Sequence, residues 1–402
     1  MAWIRFCWPS ALGLWLLTCS SVWAAEVILL SGAEHRGPLL HLDANTLKMR
    51  TESGDELSFK LEEVLFVKLR EGYRPLPAHV PALRVRLVDG SQVVCQGVGL
   101  VGTQAELRLF SGQRLSVPLT SLSAILCEAQ VPKNVEEFDA LVASKPRVDV
   151  VRLLSRDGKT VNAFEGALGD ADAAGETIRF TPEGGEATQL SLARVRALWF
   201  SRPPLIQPAA IGWVRDLYQN RFAIASVELA GDTLRLKTPT GLTLTLAEAM
   251  VAELDLSLGK QAYLSDLDPL TVETGSVWID VWSKRWRRDR SLTGSPLTLG
   301  QRSFAKGLAL QARTVLEYDV TGFNTFRAVV GIDNQLAVGQ AVISVQGDGK
   351  ELLTLPVRAR AEAPPEIELK ITGVKRLKLI VDYGPDMDLG AHVILGDARV
   401  LR

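Results

Sequence analysis

Residues that commonly carry chemistry are scarce in this chain. It has only four cysteines, four histidines, five tyrosines and four methionines in 402 residues. Its histidines, His35, His41, His79 and His392, fall in no HExxH pattern, no metal-ligand spacing and no order that suits a Ser-His-Asp relay. Adjacent carboxylates such as Glu62-Glu63 and Glu136-Glu137 point to different faces of their element and make poor acid/base partners. An enzyme is therefore not expected. No CxxC occurs, which removes the usual redox and zinc arrangements. Charge of one sign is also missing: Lys plus Arg number 45 against 46 Asp plus Glu, for a net charge of -1. A dedicated nucleic-acid binder needs a basic face, so nucleic acid is not the expected partner. No run approaches the roughly 20 apolar residues that a membrane-spanning helix requires.

What is present begins with an export signal over residues 1–25. Arg5 supplies the positive start, Ala11 to Leu17 the apolar core, and Val22-Trp23-Ala24-Ala25 a small-residue cleavage site. The mature protein is expected in the periplasm or outside the cell. Cys7 and Cys19 belong to that signal, which leaves Cys95 and Cys127 in an oxidising compartment. A disulfide between them and two buried thiols both remain open.

The middle of the chain repeats one phrase, two alternating strands around a Gly turn. It occurs as Leu47-Lys48-Met49, Leu107-Arg108-Leu109, Ile178-Arg179-Phe180 and Leu234-Arg235-Leu236, each followed by a turn and a second alternating strand. An apolar strand then closes each copy: Val64 to Val67, Ala124 to Leu126, Ala197 to Phe200 and Val251 to Leu256. Three copies open on a Gly turn, at Gly32, Gly90 and Gly158, whereas the fourth has Asp216-Leu217-Tyr218-Gln219-Asn220 there. Short strands at this density predict small, strongly bent β-barrel-like units over 26–72, 82–130, 148–202 and 209–259, in outline similar to Sm-like barrels. Residues 131–147 carry helical spacing between the second and third copies.

The last part has a different vocabulary. Phe304-Ala305-Lys306-Gly307, Tyr318-Asp319-Val320-Thr321-Gly322, Gly331-Ile332-Asp333, Gly347-Asp348-Gly349-Lys350, Gly373-Val374-Lys375-Arg376-Leu377, His392 and Asp397-Ala398-Arg399 follow in order. Over 260–402 this pattern resembles the NPCBM carbohydrate-binding-module family, found on many secreted bacterial proteins. The resemblance implies a jelly-roll-like β-sandwich, an all-β chain overall, and carbohydrate as the partner. It marks Asp333, His392 and Asp397 as polar groups for sugar hydroxyls. The sequence departs from the family at two places: Gln311 stands where the pattern has His, and Leu395 where it has Trp. The other reading of these residues is that they tie strand ends and turns together.

Two further clusters carry chemistry. Trp278, Trp282 and Trp286 alternate with the basic run Lys284-Arg285-Trp286-Arg287-Arg288-Asp289-Arg290. Guanidinium forks and indoles together suit an anionic polysaccharide, and a packed loop is the alternative. Asp382, Asp386 and Asp388 offer oxygen ligands for a structural Ca²⁺, although a polar turn accounts for them equally and no other cofactor is expected. The resulting expectation is an exported, non-catalytic binder of extracellular or cell-surface carbohydrate, with other exported proteins as possible partners of the repeats. The rival is a scaffold whose sugar site has been lost.

Overall fold

The structure is a computed structural model that describes residues 25–76, 80–202, 210–275, 285–360, 363–384 and 390–402. These residues are nearly all β-strand, and the one α-helix among them is Pro132–Ser144.

The second copy shows how each repeat is built. Strands Leu83–Leu87, Gln92–Val101, Gln104–Leu109 and Arg114–Pro118 lead through a 3-10 turn, Leu119–Ser121, into Leu122–Leu126. Alternation sets the faces: along Gln104–Leu109, Ala105, Leu107 and Leu109 are buried while Gln104, Glu106 and Arg108 are exposed. The last strand folds back beside the first, with Ile125 opposite Val85. The other copies repeat this order, and each inserts a 3-10 turn before its last strand: Leu61–Glu63, Leu192–Arg194 and Glu248–Met250. Glycine lets the second strand bend in the first copy, whereas the fourth bends at Ala225. In the first copy it breaks at Gly37 between Glu34–Gly37 and Leu39–Leu42, where an added Cβ would sit 1.7 Å from the Arg50 carbonyl oxygen.

None of the units closes into a barrel among the described residues, which corrects the expected barrel-like shape to open, strongly bent sheets. The free edge of the last strand is already occupied by another copy. Val251–Asp255 of the fourth copy pairs with Val64–Lys68 of the first, Leu254 opposite Val67. Val195–Trp199 of the third pairs with Leu122–Leu126 of the second, Leu198 opposite Ile125. The pairing is thus nested, one with four and two with three. Copies two and four meet by a single register pair, Arg221 opposite Gln92, and side chains do the rest. Here the irregular turn of the fourth copy finds its reason. Asp216 is buried and accepts from Tyr218 N, Asn220 N and Asn220 Nδ2 at 2.8, 2.9 and 2.6 Å, while Val94 N donates to Asn220 Oδ1 at 2.6 Å. Gln219 takes the left-handed backbone (φ 68) that glycine supplies elsewhere. One apolar cluster runs through all four copies, including Val67, Val85, Leu107, Leu198, Phe222 and Leu254.

The expected alternative of a Cys95–Cys127 disulfide is not realised: both cysteines are free thiols. Cys95 pairs with Leu83 on the neighbouring strand, and the strand ending at Leu126 lies on the far side of Leu83–Leu87. One strand therefore stands between the two cysteines, a separation of roughly 10 Å at the usual strand spacing and too far for an S–S bond. Burial pushes the two thiols up to about 12 and about 11 respectively.

The C-terminal part is a two-layer sandwich. One sheet runs in the order Trp286–Arg288, Gly307–Gln311, His392–Leu401, Thr325–Ile332, Glu366–Lys370. The facing sheet runs Thr271–Thr274, Thr314–Asp319, Arg376–Tyr383, Gln340–Gly347, Lys350–Arg358. Leu310, Leu316, Tyr318, Phe326, Val345 and Leu379 fill the space between them. A hairpin, Leu297–Leu299 with Arg302–Phe304, covers part of the outer face of the first sheet and packs Leu297, Leu299 and Phe304 on Ala309, Val329 and Ile394. Gly396 permits this, since a Cβ there would lie 2.6 Å from the Phe304 ring. No helix among the described residues is long and apolar enough to cross a membrane.

Candidate functional site

Three of the residues singled out by sequence come together at one end of the sandwich. Gln311 closes its strand opposite His392, and Asp333 N donates to His392 O at 3.0 Å. Gln311 and Asp333, however, are only 5% and 2% exposed. Asp333 Oδ1 accepts from Gln335 N at 3.0 Å and Leu336 N donates to the Asp333 carbonyl at 3.0 Å, so this carboxylate organises a turn. Gln311 N donates to Arg285 O at 2.9 Å. Among the described residues this end of the sandwich is a tied-off strand terminus, with His392 half-buried.

The basic run is committed in part. Trp286 packs on the sandwich core, and the Arg288 guanidinium lies 5.4 Å from its ring centroid. Arg288 Nη2 also donates to Leu267 O at 3.0 Å and to Asp268 Oδ1 at 2.9 Å. Arg285 is 6% exposed, and Arg287 is half-buried with its Nε lacking an acceptor. Alternation along Trp286–Arg288 puts Arg287 on the face opposite its two neighbours, so the expected joint grip on an anionic polymer is not formed by these three residues. Trp282, Trp278 and Lys284 lie outside the described residues. So do Asp386 and Asp388, while Asp382 faces Arg313 Nε at 3.9 Å. Among the described residues no group of three or more His, Cys, Asp or Glu is placed to hold a metal ion.

Asp397 lies elsewhere. It sits five residues along the strand from His392, about 17 Å at the strand rise, in a bulge where Arg327 is opposite Arg399 and Val329 opposite Gly396. Its backbone is left-handed, φ 51. Asp397 opens onto a cleft of about 440 Å³ on the outer face of the first sheet. The hairpin contributes Arg302, the edge strand Glu366 and Glu368, and the sheet Arg327, Val329 and Arg399. The remaining wall is the turn Ser31-Gly32 of the first repeat. Arg327 Nη2 donates to Ser31 O at 3.1 Å, and its Nε faces Glu368 Oε2 at 3.0 Å. Arg302 is bonded to Glu366. A second tie between repeat and sandwich lies nearby in sequence: Lys260 Nζ donates to Leu61 O and Val64 O, both at 2.7 Å. Burial pushes its pKa down to about 8. Burial raises the Asp397 carboxyl above its ordinary value, against the opposing pull of Arg399 and Arg302. Sequence reasoning quoted Asp397 and Arg399 in one motif and Gly32 as a turn, but did not connect them with each other or with Arg302, Arg327, Glu366 and Glu368, which lie in separate segments.

Comparison with known proteins places part of this chain. A protein of Renibacterium salmoninarum named "Putative endo-alpha-N-acetylgalactosaminidase" is 33% identical over 154 residues, 36% of this chain; this chain spans only 10% of that relative's length. A CBM51 module from Clostridium perfringens, solved with methyl-galactose, is 25% identical with a TM-score of 0.31, covering 35% of this chain and 99% of its own. The tandem CBM51 modules of a family 98 glycoside hydrolase from Streptococcus pneumoniae are 18% identical with a TM-score of 0.30, over 64% of this chain and 72% of theirs. Residues 260–401, the sandwich described above, match the NPCBM/NEW2 domain family.

Proposed function

We propose that this is an exported, non-catalytic protein that binds carbohydrate through its C-terminal sandwich. The observation that carries the reading is the match of residues 260–401 to the NPCBM/NEW2 domain. The reading is further supported by the names of similar proteins, which include modules solved with sugar. Export rests on the amino-terminal signal pattern of residues 1–25, and the absence of enzymatic activity on the lack of any catalytic constellation in the sequence. Neutral rather than anionic sugar fits the structure better, because Arg288 is engaged within the fold. The four repeats act as the platform that carries the sandwich, joined edge to edge around one apolar core.

The test uses the full mature chain on an array of neutral, uronic and sulfated glycans. Retention on neutral glycans that changes little between low and high salt is the expected result, since counter-ion screening weakens only charge-driven binding. A blank array, with a protein recovered on the repeats in a pull-down, overturns the reading in favour of a scaffold.

A further inference from the structure

We infer that the cleft between the first repeat and the sandwich is a composite saccharide site. In it Asp397 and Arg399 bond the hydroxyls of a neutral sugar, and the Ser31-Gly32 turn forms one wall. The inference rests on the carbohydrate reading above and assigns it a place and a sugar class.

Of the three guanidiniums in the cleft, Arg302 is taken by Glu366, and Arg327 by Glu368 and Ser31 O. Arg399 has no bonded partner among the described residues, and its Nε is buried without an acceptor. The Asp397 carboxylate beside it receives no hydrogen bond from the described residues either. A buried donor left open, as Arg399 Nε is, costs about 1–3 kcal/mol in a folded protein, and the Asp397 carboxylate beside it opens to the cleft. Such pairs mark places where water or a ligand completes the bonding. A carboxylate with two acceptor oxygens beside a guanidinium fork matches two neighbouring sugar hydroxyls, which both donate and accept.

Shape and charge agree. The volume, about 440 Å³, falls in the range of small-molecule sites, roughly 300–1,000 Å³. Val329, on the outward face of the sheet, gives the lining an apolar patch for ring C–H groups. An anionic sugar would meet Asp397, Glu366 and Glu368 together, with only Arg399 uncommitted. The bulge and the left-handed conformation of Asp397 are the kind of local irregularity that re-aims a side chain at a working site.

The wall from the first repeat separates this from a site owned by the sandwich alone. Gly32 approaches so closely that an added Cβ would be 2.9 Å from Arg327 Nη1. Ser31 is exposed, so enlarging it narrows the cleft without touching either core.

The experiment compares the full chain with Asp397→Asn, Ser31→Trp and Thr354→Trp, the last on an exposed position of the opposite sheet. The probes are immobilised neutral mono- and disaccharides, followed by calorimetric titration with the strongest binder. Asp397→Asn and Ser31→Trp should each weaken binding at least about tenfold, close to one bonded group, with thermal unfolding unchanged and Thr354→Trp like the parent. Parent-like binding by both cleft variants overturns the composite site while leaving carbohydrate binding standing. Equal losses in all three variants, or binding restricted to uronic or sulfated glycans, also overturn it. If the parent binds no glycan, the carbohydrate reading falls and the cleft with it.

Discussion

The repeat array and the sandwich are made from the same alternating antiparallel strands, yet they bury them differently. Each repeat is too small to enclose its apolar face and shares one cluster with its neighbours, reached by joining last strands in nested pairs. The sandwich encloses its own core between two sheets and keeps a second small cluster under its surface hairpin. Size decides this difference: a bent five-stranded sheet has too little interior to exclude water on its own. The consequence is that edges in the array are consumed by assembly, whereas the outer face of the sandwich remains available for a cleft.

The sharpest way to break that contrast is to remove one core residue from each side. Phe222→Ala and Phe326→Ala, both fully buried, should each cost about 3–5 kcal/mol. Calorimetry should show the first lowering the transition of the whole array and the second that of the sandwich. If either variant shifts both transitions equally, the two cores are one cooperative unit.

A smaller effect sharpens the picture inside the array. Asn220→Ala strips Val94 N of its acceptor and Asp216 of one of its three donors, Asn220 Nδ2. Burial already holds the Asp216 carboxyl above its ordinary value, against the bonds from Asn220 and Tyr218. Denaturant unfolding should register a loss of about 1–3 kcal/mol. A neutral outcome would mean that copies two and four are held by apolar contact alone.

A pH-dependent effect concerns the joint between the two regions. Lys260 has a folded pKa of about 8 against an ordinary 10.5, so between those values the unfolded chain binds more protons than the folded one. Stability should therefore rise with pH across that window and be lowest, for this group, below about 8. Lys260→Met should flatten the rise in unfolding curves recorded from pH 7 to 10. An unchanged slope would assign the pH dependence to other groups.

Much of this was readable in the residues. Leu107-Arg108-Leu109 and its three counterparts announce half-buried strands because alternation is a local property of the backbone. The departure at Asp216 to Asn220 was visible too, but its purpose was not, since the Val94 amide it serves is more than a hundred residues away in the chain. The recurring 3-10 turns left only a faint trace, as Leu61, Leu119 and Leu192 share a leucine and Glu248 does not. The cysteines left a disulfide and two buried thiols open for a related reason: only strand order shows that Leu83–Leu87 stands between Cys95 and Cys127. At the sandwich, Asp333, His392 and Asp397 were read as one polar set, whereas the fold puts Asp333 beside His392 and Gln311 at a strand end and Asp397 farther along the strand, because distance along a strand is not visible in a motif.

Alternation, turn glycines and an ordered set of family motifs were enough to determine an all-β chain with repeated units ahead of a different C-terminal module. These signals act over a few residues, where backbone geometry and solvent partition side chains directly. Only tertiary structure decided which copy pairs with which, and that Ser31, Arg327, Asp397 and Arg399 face one cleft. Strand edges offer the same N–H and C=O groups whatever their side chains, so the choice of neighbour belongs to the packing of the whole molecule.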